Sequence, residues 1–192
     1  LGNGINTPYY FALAEHKDAT LNPKIYADEN PVIQTEYRHV TKNSYSILDA
    51  SFNQGYKKTS DKKTGGSRNH IFAKSDIDLD LEIFDESKLV MNYQKASNDT
   101  YLKVHDINSK LKTSNTVMHS SIDMNFSKND TSMEINMDMY EDLSKEDERY
   151  EFVVPNYNYN NKLSFSEQLG VFSFQSRGYY KNYETNKKQT KL

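Results

Sequence analysis

The chain has 192 residues, enough for one architectural unit, and is polar: 35% hydrophobic and 27% charged, with 24 Lys and Arg against 27 Asp and Glu for a net charge of −3. Interspersed charges of both signs leave no cationic stripe for nucleic acid, the lack of cysteine excludes disulfides and thiolate metal sites within the chain, and no apolar run approaches the roughly 18 residues of a helical membrane span. The composition is still not that of a disordered segment, because 15 Tyr and 9 Phe stand against only 4 Pro and 7 Gly.

The first segment, Thr7-Pro8-Tyr9-Tyr10-Phe11-Ala12-Leu13-Ala14, is aromatic and uncharged. Alternation with period two, which sends successive side chains to opposite faces of a strand, then runs weakly through residues 19–27, with Leu21 and Ile25 on one face, and through 32–40 and 45–53. It is clearest over 71–83, where Ile71, Ala73, Ser75, Ile77, Leu79, Leu81 and Ile83 alternate with Phe72, Lys74, Asp76, Asp78, Asp80 and Glu82. Residues 88–95 and 117–126 follow, then a second clear case over 133–139, with Met133, Ile135, Met137 and Met139 between Glu134, Asn136 and Asp138. Residues 150–159 and 163–180 complete the series, separated by a turn at Asn160-Asn161. Short turns alternate with longer polar loops at 57–69, 97–115 and 141–149, the last able to form one helical turn. No convincing helix, repeat or linker is present. The pattern predicts an all-β, antiparallel meander of about 8–10 strands, filling residues 1–192 as one unit. It leaves two readings open: a soluble sheet with one wet face, or an open, partial segment of a large transmembrane β-barrel.

Three motifs bear on that choice. Residues 7–14 read T-P-Y-Y-F, Asp18 to Pro23 read D-x-T-x-N-P, and Glu36-Tyr37-Arg38 follows in the next strand. In type and spacing they resemble the start of the barrel of the lipopolysaccharide-assembly family, also called organic solvent tolerance protein; Arg68 to Phe72 and Val90 to Tyr93 resemble a later hairpin more loosely. The resemblance implies a non-enzymatic outer-membrane component that inserts lipopolysaccharide into the outer leaflet through a lateral gate at the first barrel strand. It further implies a plug lipoprotein of the LptE type and a periplasmic bridge protein of the LptA type as partners, no cofactor, and Pro8 and Pro23 as the gate prolines. The physics agrees, since a proline has no N–H to give to a ladder. The periplasmic slide, the closing strands and the family's crosslinking cysteines are not in this sequence, and a start at Leu1 suggests a fragment. The alternatives are a soluble or periplasmic β-sheet module that binds lipid or protein, and a general diffusion porin.

Asp76, Asp78, Asp80 and Glu82 share one face of the predicted strand, and within the barrel reading they form an acidic lumen-facing row. Alternate residues lie about 6.6 Å apart, too far for a single-ion cage on one strand. His16, His39, His70, His105 and His119 have no metal-binding spacing, so no metal site is expected. Tyr9, Tyr10, Phe11, Tyr157, Tyr159, Tyr179 and Tyr180 are candidates for an interfacial aromatic girdle.

Overall fold

A computed structural model describes residues 2–60, 65–164 and 170–182. It is one antiparallel sheet of eleven strands: β1 Gly4–Asn6, β2 Tyr9–Ala14, β3 Lys17–Tyr26, β4 Val32–Val40, β5 Ser44–Asn53, β6 Arg68–Asp78, β7 Glu86–Ala96, β8 Val117–Lys128, β9 Thr131–Asp142, β10 Tyr150–Ser164 and β11 Val171–Asn182. From β3 to β11 each strand pairs with its sequence neighbours, while β1 and β2 both pair with β3, and the sheet does not close. The fold is therefore the expected open meander. Strands of ten to twelve residues recur, about the length a tilted membrane strand requires.

The register explains the composition. Directly opposed residues share a face, so Asp18, Thr20 and Asn22 fall in line with Arg38, Glu36 and Gln34, then with Ile47, Asp49 and Ser51, and then with Lys74, Phe72 and His70. The row continues through Asn92 and Ser121 to Asp138, and through Asp123 and Asn136 to Asn156. The other face carries Leu21, Ile33, Tyr37, Leu48, Ile71, Tyr93, Ile122, Met137, Tyr157 and Phe174, and many of these are exposed. Over most of the sheet one face is polar and the other apolar, an inversion of the soluble arrangement in which the oily face is covered; Ile47 and Phe72 on the polar side, and Lys95 and Glu141 on the apolar side, are exceptions.

Connections segregate by rim. Two- to seven-residue turns follow β2, β4, β6 and β8, whereas the two long links, after β5 and β7, share the opposite rim with the five- and seven-residue links after β3 and β9. Gly4 pairs with Tyr26 and Asn182 with Phe152, so the sheet's first and last strands both have their outer ends at the long-link rim.

Some boundaries differ from expectation. The strand read over 71–83 ends at Asp78, because Asp80 turns the chain with φ 49° and Leu81 N–H is taken up by Ser87 Oγ at 3.0 Å. Asn160 and Asn161 are not a turn but lie inside β10, opposite Gln175 and Phe174. Residues 163–180 are consequently two strands, and the connection across 165–169 lies outside the described residues. The 141–149 run forms no helix: Glu141 and Asp142 finish β9 and the rest is turn. Instead a four-residue helix, α1 Tyr101–Val104, forms within 97–116, where Asn98 Oδ1 accepts the Tyr101 N–H at 2.9 Å. Its ends are held locally, so no 3.6-residue apolar pattern was needed to form it.

This 97–116 segment carries the apolar core. Tyr101, Leu102 and Ile107 are buried with Val32, Phe72, Ala96, Met118 and Leu143. The segment lies over the polar face near the long-link rim as a strap, and burial of Leu102 and Ile107 contributes about 1.5–3 kcal/mol each.

Candidate functional site

The first-strand seam is built by β1, β2 and β3. The register sets Asn6 opposite Lys24 and Tyr9 opposite Leu21, so β1 and β2 are one edge strand interrupted at Thr7-Pro8, with Thr7 facing Pro23 and Pro8 facing Asn22. Thr7 N–H donates to the Pro23 carbonyl at 3.3 Å. In an antiparallel ladder such a pair exchanges two bonds, and Pro23 has no N–H for the second. Because N–H and C=O of one strand residue point to the same side, Pro8 directs its missing donor the other way, to the open edge. Pro23 thus withholds one ladder bond between β3 and the edge strand, and at the same level Pro8 leaves the open edge without a donor. Pro8 is exposed and Pro23 half-buried. Beyond it, Tyr9, Tyr10, Phe11 and Leu13 are exposed along the edge.

Next to Pro23, Lys24 leaves the polar face for the strap, and its Nζ donates to the carbonyls of His105, at 3.1 Å, and Asp106. Gln34 Nε2 donates to the Asn108 carbonyl at 2.9 Å and Gln94 Nε2 to the Leu111 carbonyl at 2.6 Å. Under the strap, Ser51 Oγ lies 2.8 Å from Tyr101 Oη and 2.5 Å from His70 Nδ1, and His70 Nε2 lies 3.2 Å from Asp49 Oδ1. Serine, histidine and aspartate in a row suggest nucleophilic catalysis, but every member is at most 5% exposed and the serine oxygen is capped by the tyrosine. The row is a buried polar network satisfying its own groups, and it fastens the strap to β5 and β6. Burial pushes the Tyr101 phenol up to about 12. His105 is pushed down to about 4, first by burial and then by the Arg68 and Lys24 charges.

The four acidic residues separate. Asp76 and Asp78 lie on the polar face opposite Val90 and Lys88, and Lys74 Nζ is 3.3 Å from Asp76. Asp80 and Glu82 are exposed in the turn after β6, where Asp80 accepts from Asn43 Nδ2 at 2.5 Å. Among the described residues no group of three or more His, Cys, Asp or Glu is placed to hold a metal. The proposed girdle also divides: Tyr9, Phe11, Tyr157 and Tyr159 are on the apolar face, while Tyr10 and Tyr179 register with polar-face Thr20 and Asn156.

Sequence reasoning also missed the buried carboxylate of Glu141. Glu141, 1% exposed, receives Lys95 Nζ at 2.8 Å on both carboxylate oxygens, Tyr150 Oη at 2.9 Å and Arg149 at 2.9 Å. These contacts span 46 residues of sequence between Lys95 and Glu141, which no local pattern reveals.

No family model matches the chain. Its similarity to curated proteins is partial: it is 26% identical over 136 residues to the LPS-assembly protein LptD of Nitrosococcus oceani, covering 67% of this chain and 16% of that protein. The LPS-assembly protein LptD of Psychrobacter cryohalolentis is 38% identical over 71 residues, 37% of this chain and 7% of that protein. That of Pseudomonas syringae pv. tomato is 50% identical over 38 residues, 20% and 4% of the two. The chain matches less than a fifth of the length of each of these relatives. What it shares with LPS-assembly proteins is a similarity over part of its own length.

Proposed function

We propose that this chain is the opening part of the outer-membrane barrel of an LptD-type protein. In this reading the parent transports lipopolysaccharide to the outer leaflet through a lateral gate at β1 and β2, with no bond chemistry. The observation that carries the reading is the single Thr7 to Pro23 bond in an edge strand whose other side lacks a donor at Pro8. A gate must part repeatedly, and a ladder short of one bond parts at that level first. The exposed apolar face supports a lipid-facing wall, and the polar face, with Asp76 and Asp78, supports a wetted lumen. By the same reading the partners are lipopolysaccharide, a plug lipoprotein of the LptE type and a bridge protein of the LptA type.

The test is depletion of the full-length parent in its own cells followed by measurement of surface lipopolysaccharide. A fall is expected, and unchanged surface lipopolysaccharide overturns the export reading. Recovery of the parent from the soluble fraction without detergent would overturn the barrel itself.

A further inference from the structure

The strap leaves the sheet at the end of β7 and returns at β8, yet it makes contact as far back as β3. Its anchoring changes along that path. At the near end Tyr101 and Leu102 are buried in the apolar core. At the far end Ile107 also reaches that core, and the rest of the hold is by polar side chains on backbone carbonyls: Gln34 on Asn108, and Lys24 on His105 and Asp106, so undocking there also withdraws Ile107. Lys24 adjoins the proline that thins the seam, and a cavity of about 260 Å³ lies between the strap and the first strands, lined by Gly4, Asn6, Lys24, Tyr26, His105 and Asp106 among others.

We propose that the strap is an internal latch on the first-strand seam, docked against β3 when the seam is shut and released at its 105–110 end when the seam parts. The inference rests on the gate reading of Pro8 and Pro23. Two features at the far end make docking poised rather than maximally stable. His105 is 3% exposed, and its Nδ1 has no hydrogen-bond partner; an unsatisfied buried polar atom disfavours docking, and release into water hydrates it. Asp106 sits at φ 46°, in the left-handed region that side-chain-bearing residues seldom occupy. Both strains fall at the Lys24 clamp, while the near end shows neither. Release therefore begins beside the seam, with Tyr101 and Leu102 as the hinge side. A docked strap also covers the polar face next to the seam, so cargo moving along that face to the gate must displace it.

The experiment uses the full-length parent in cells. A Gln34→Cys and Asn108→Cys pair, closed by a short bifunctional thiol reagent, holds the far end down; each single variant is the control, and heat-modifiable mobility verifies that the barrel folds. Surface lipopolysaccharide is expected to collapse in the crosslinked pair alone. A crosslinked, folded barrel that exports as well as the single variants overturns the latch, provided depletion of the parent abolishes export; if depletion has no effect, the gate reading has failed instead. Latching is also read without export, as maleimide labelling of Gln34→Cys, a position the docked strap buries, with and without Lys24→Met. Loss of the Lys24 bonds is expected to speed labelling by about tenfold or more, since both are charge-assisted. Equal labelling rates overturn the proposal whatever the transport result.

Discussion

Thr7 gives its backbone N–H to Pro23 at 3.3 Å, and Pro23 has nothing to give back. Pro23→Ala in the full-length parent supplies the missing donor and adds a ladder bond of about 0.5–1.5 kcal/mol. Slower appearance of lipopolysaccharide at the surface is expected from pulse labelling. Pro8→Ala restores a donor on the opposite side, facing the open edge, so it strengthens the β1/β2 to β3 ladder less. Identical export rates in wild type and Pro23→Ala would remove the ladder defect from the mechanism.

Strap docking weakens in acid. The docked His105 is pushed down to about 4 against an ordinary 6.5, by burial first and then by Arg68 and Lys24, with Glu29 opposing. The docked state therefore resists protonation: docking is fully present above 6.5, falls as pH drops below that value, and levels off near 4. Between pH 7 and pH 5 the docking equilibrium should fall by roughly an order of magnitude. Amide exchange over residues 105–110 of the detergent-folded protein should speed up over that interval, and His105→Gln should flatten the dependence.

The alternation and the antiparallel meander are legible because they are local, period two setting the face and a polar cluster the turn; eleven strands stand against an expected 8–10 because Gly4–Asn6 is too short to show a period. The end of β6 is not legible, because Leu79, Leu81 and Ile83 continue the alternation while the backbone has already turned at Asp80. Pro8 and Pro23 are named only through the family resemblance, and that their missing donors face opposite sides of one strand needs the register. The strap was read only as a long polar loop. Tyr101, Leu102 and Ile107 carry no period, and their partners Val32 and Phe72 are distant in the chain.

Ser51 should behave as a packing residue. Its hydroxyl is held between His70 and Tyr101 with no open space, so a serine-directed phosphonate should leave it unlabelled. Ser51→Ala should destabilise the fold by about 1–3 kcal/mol, the cost of leaving a buried partner unsatisfied. Labelling at Ser51 would contradict this.

Glu141→Ala removes a buried anion from between Lys95, Arg149 and Tyr150. Lys95 and Arg149 keep 43% and 29% of their side chains exposed and can rehydrate, so the loss should be about 1–3 kcal/mol rather than the larger penalty of a sealed pair. Thermal unfolding in detergent would measure it, with Glu141→Gln retaining part of the stability.

The two faces should respond oppositely to charge. Ile122→Lys on the apolar face should impair assembly into membranes, by about 2–4 kcal/mol if that residue lies near the bilayer centre. Asn92→Lys on the polar face should be tolerated. Equal tolerance at both positions, read as yield of folded protein in the membrane fraction, would deny the apolar face its lipid contact.

With β1 and β2 counted as one interrupted strand, the sheet crosses from rim to rim an even number of times, which is why Gly4 and Asn182 share a rim. Such a block is topologically silent. Duplicated, excised or grafted between other hairpins, it would hand the chain back on the side from which it was received, and no other strand would change direction. Only the circumference of the sheet would alter, so its width can vary without disturbing which residues face which compartment.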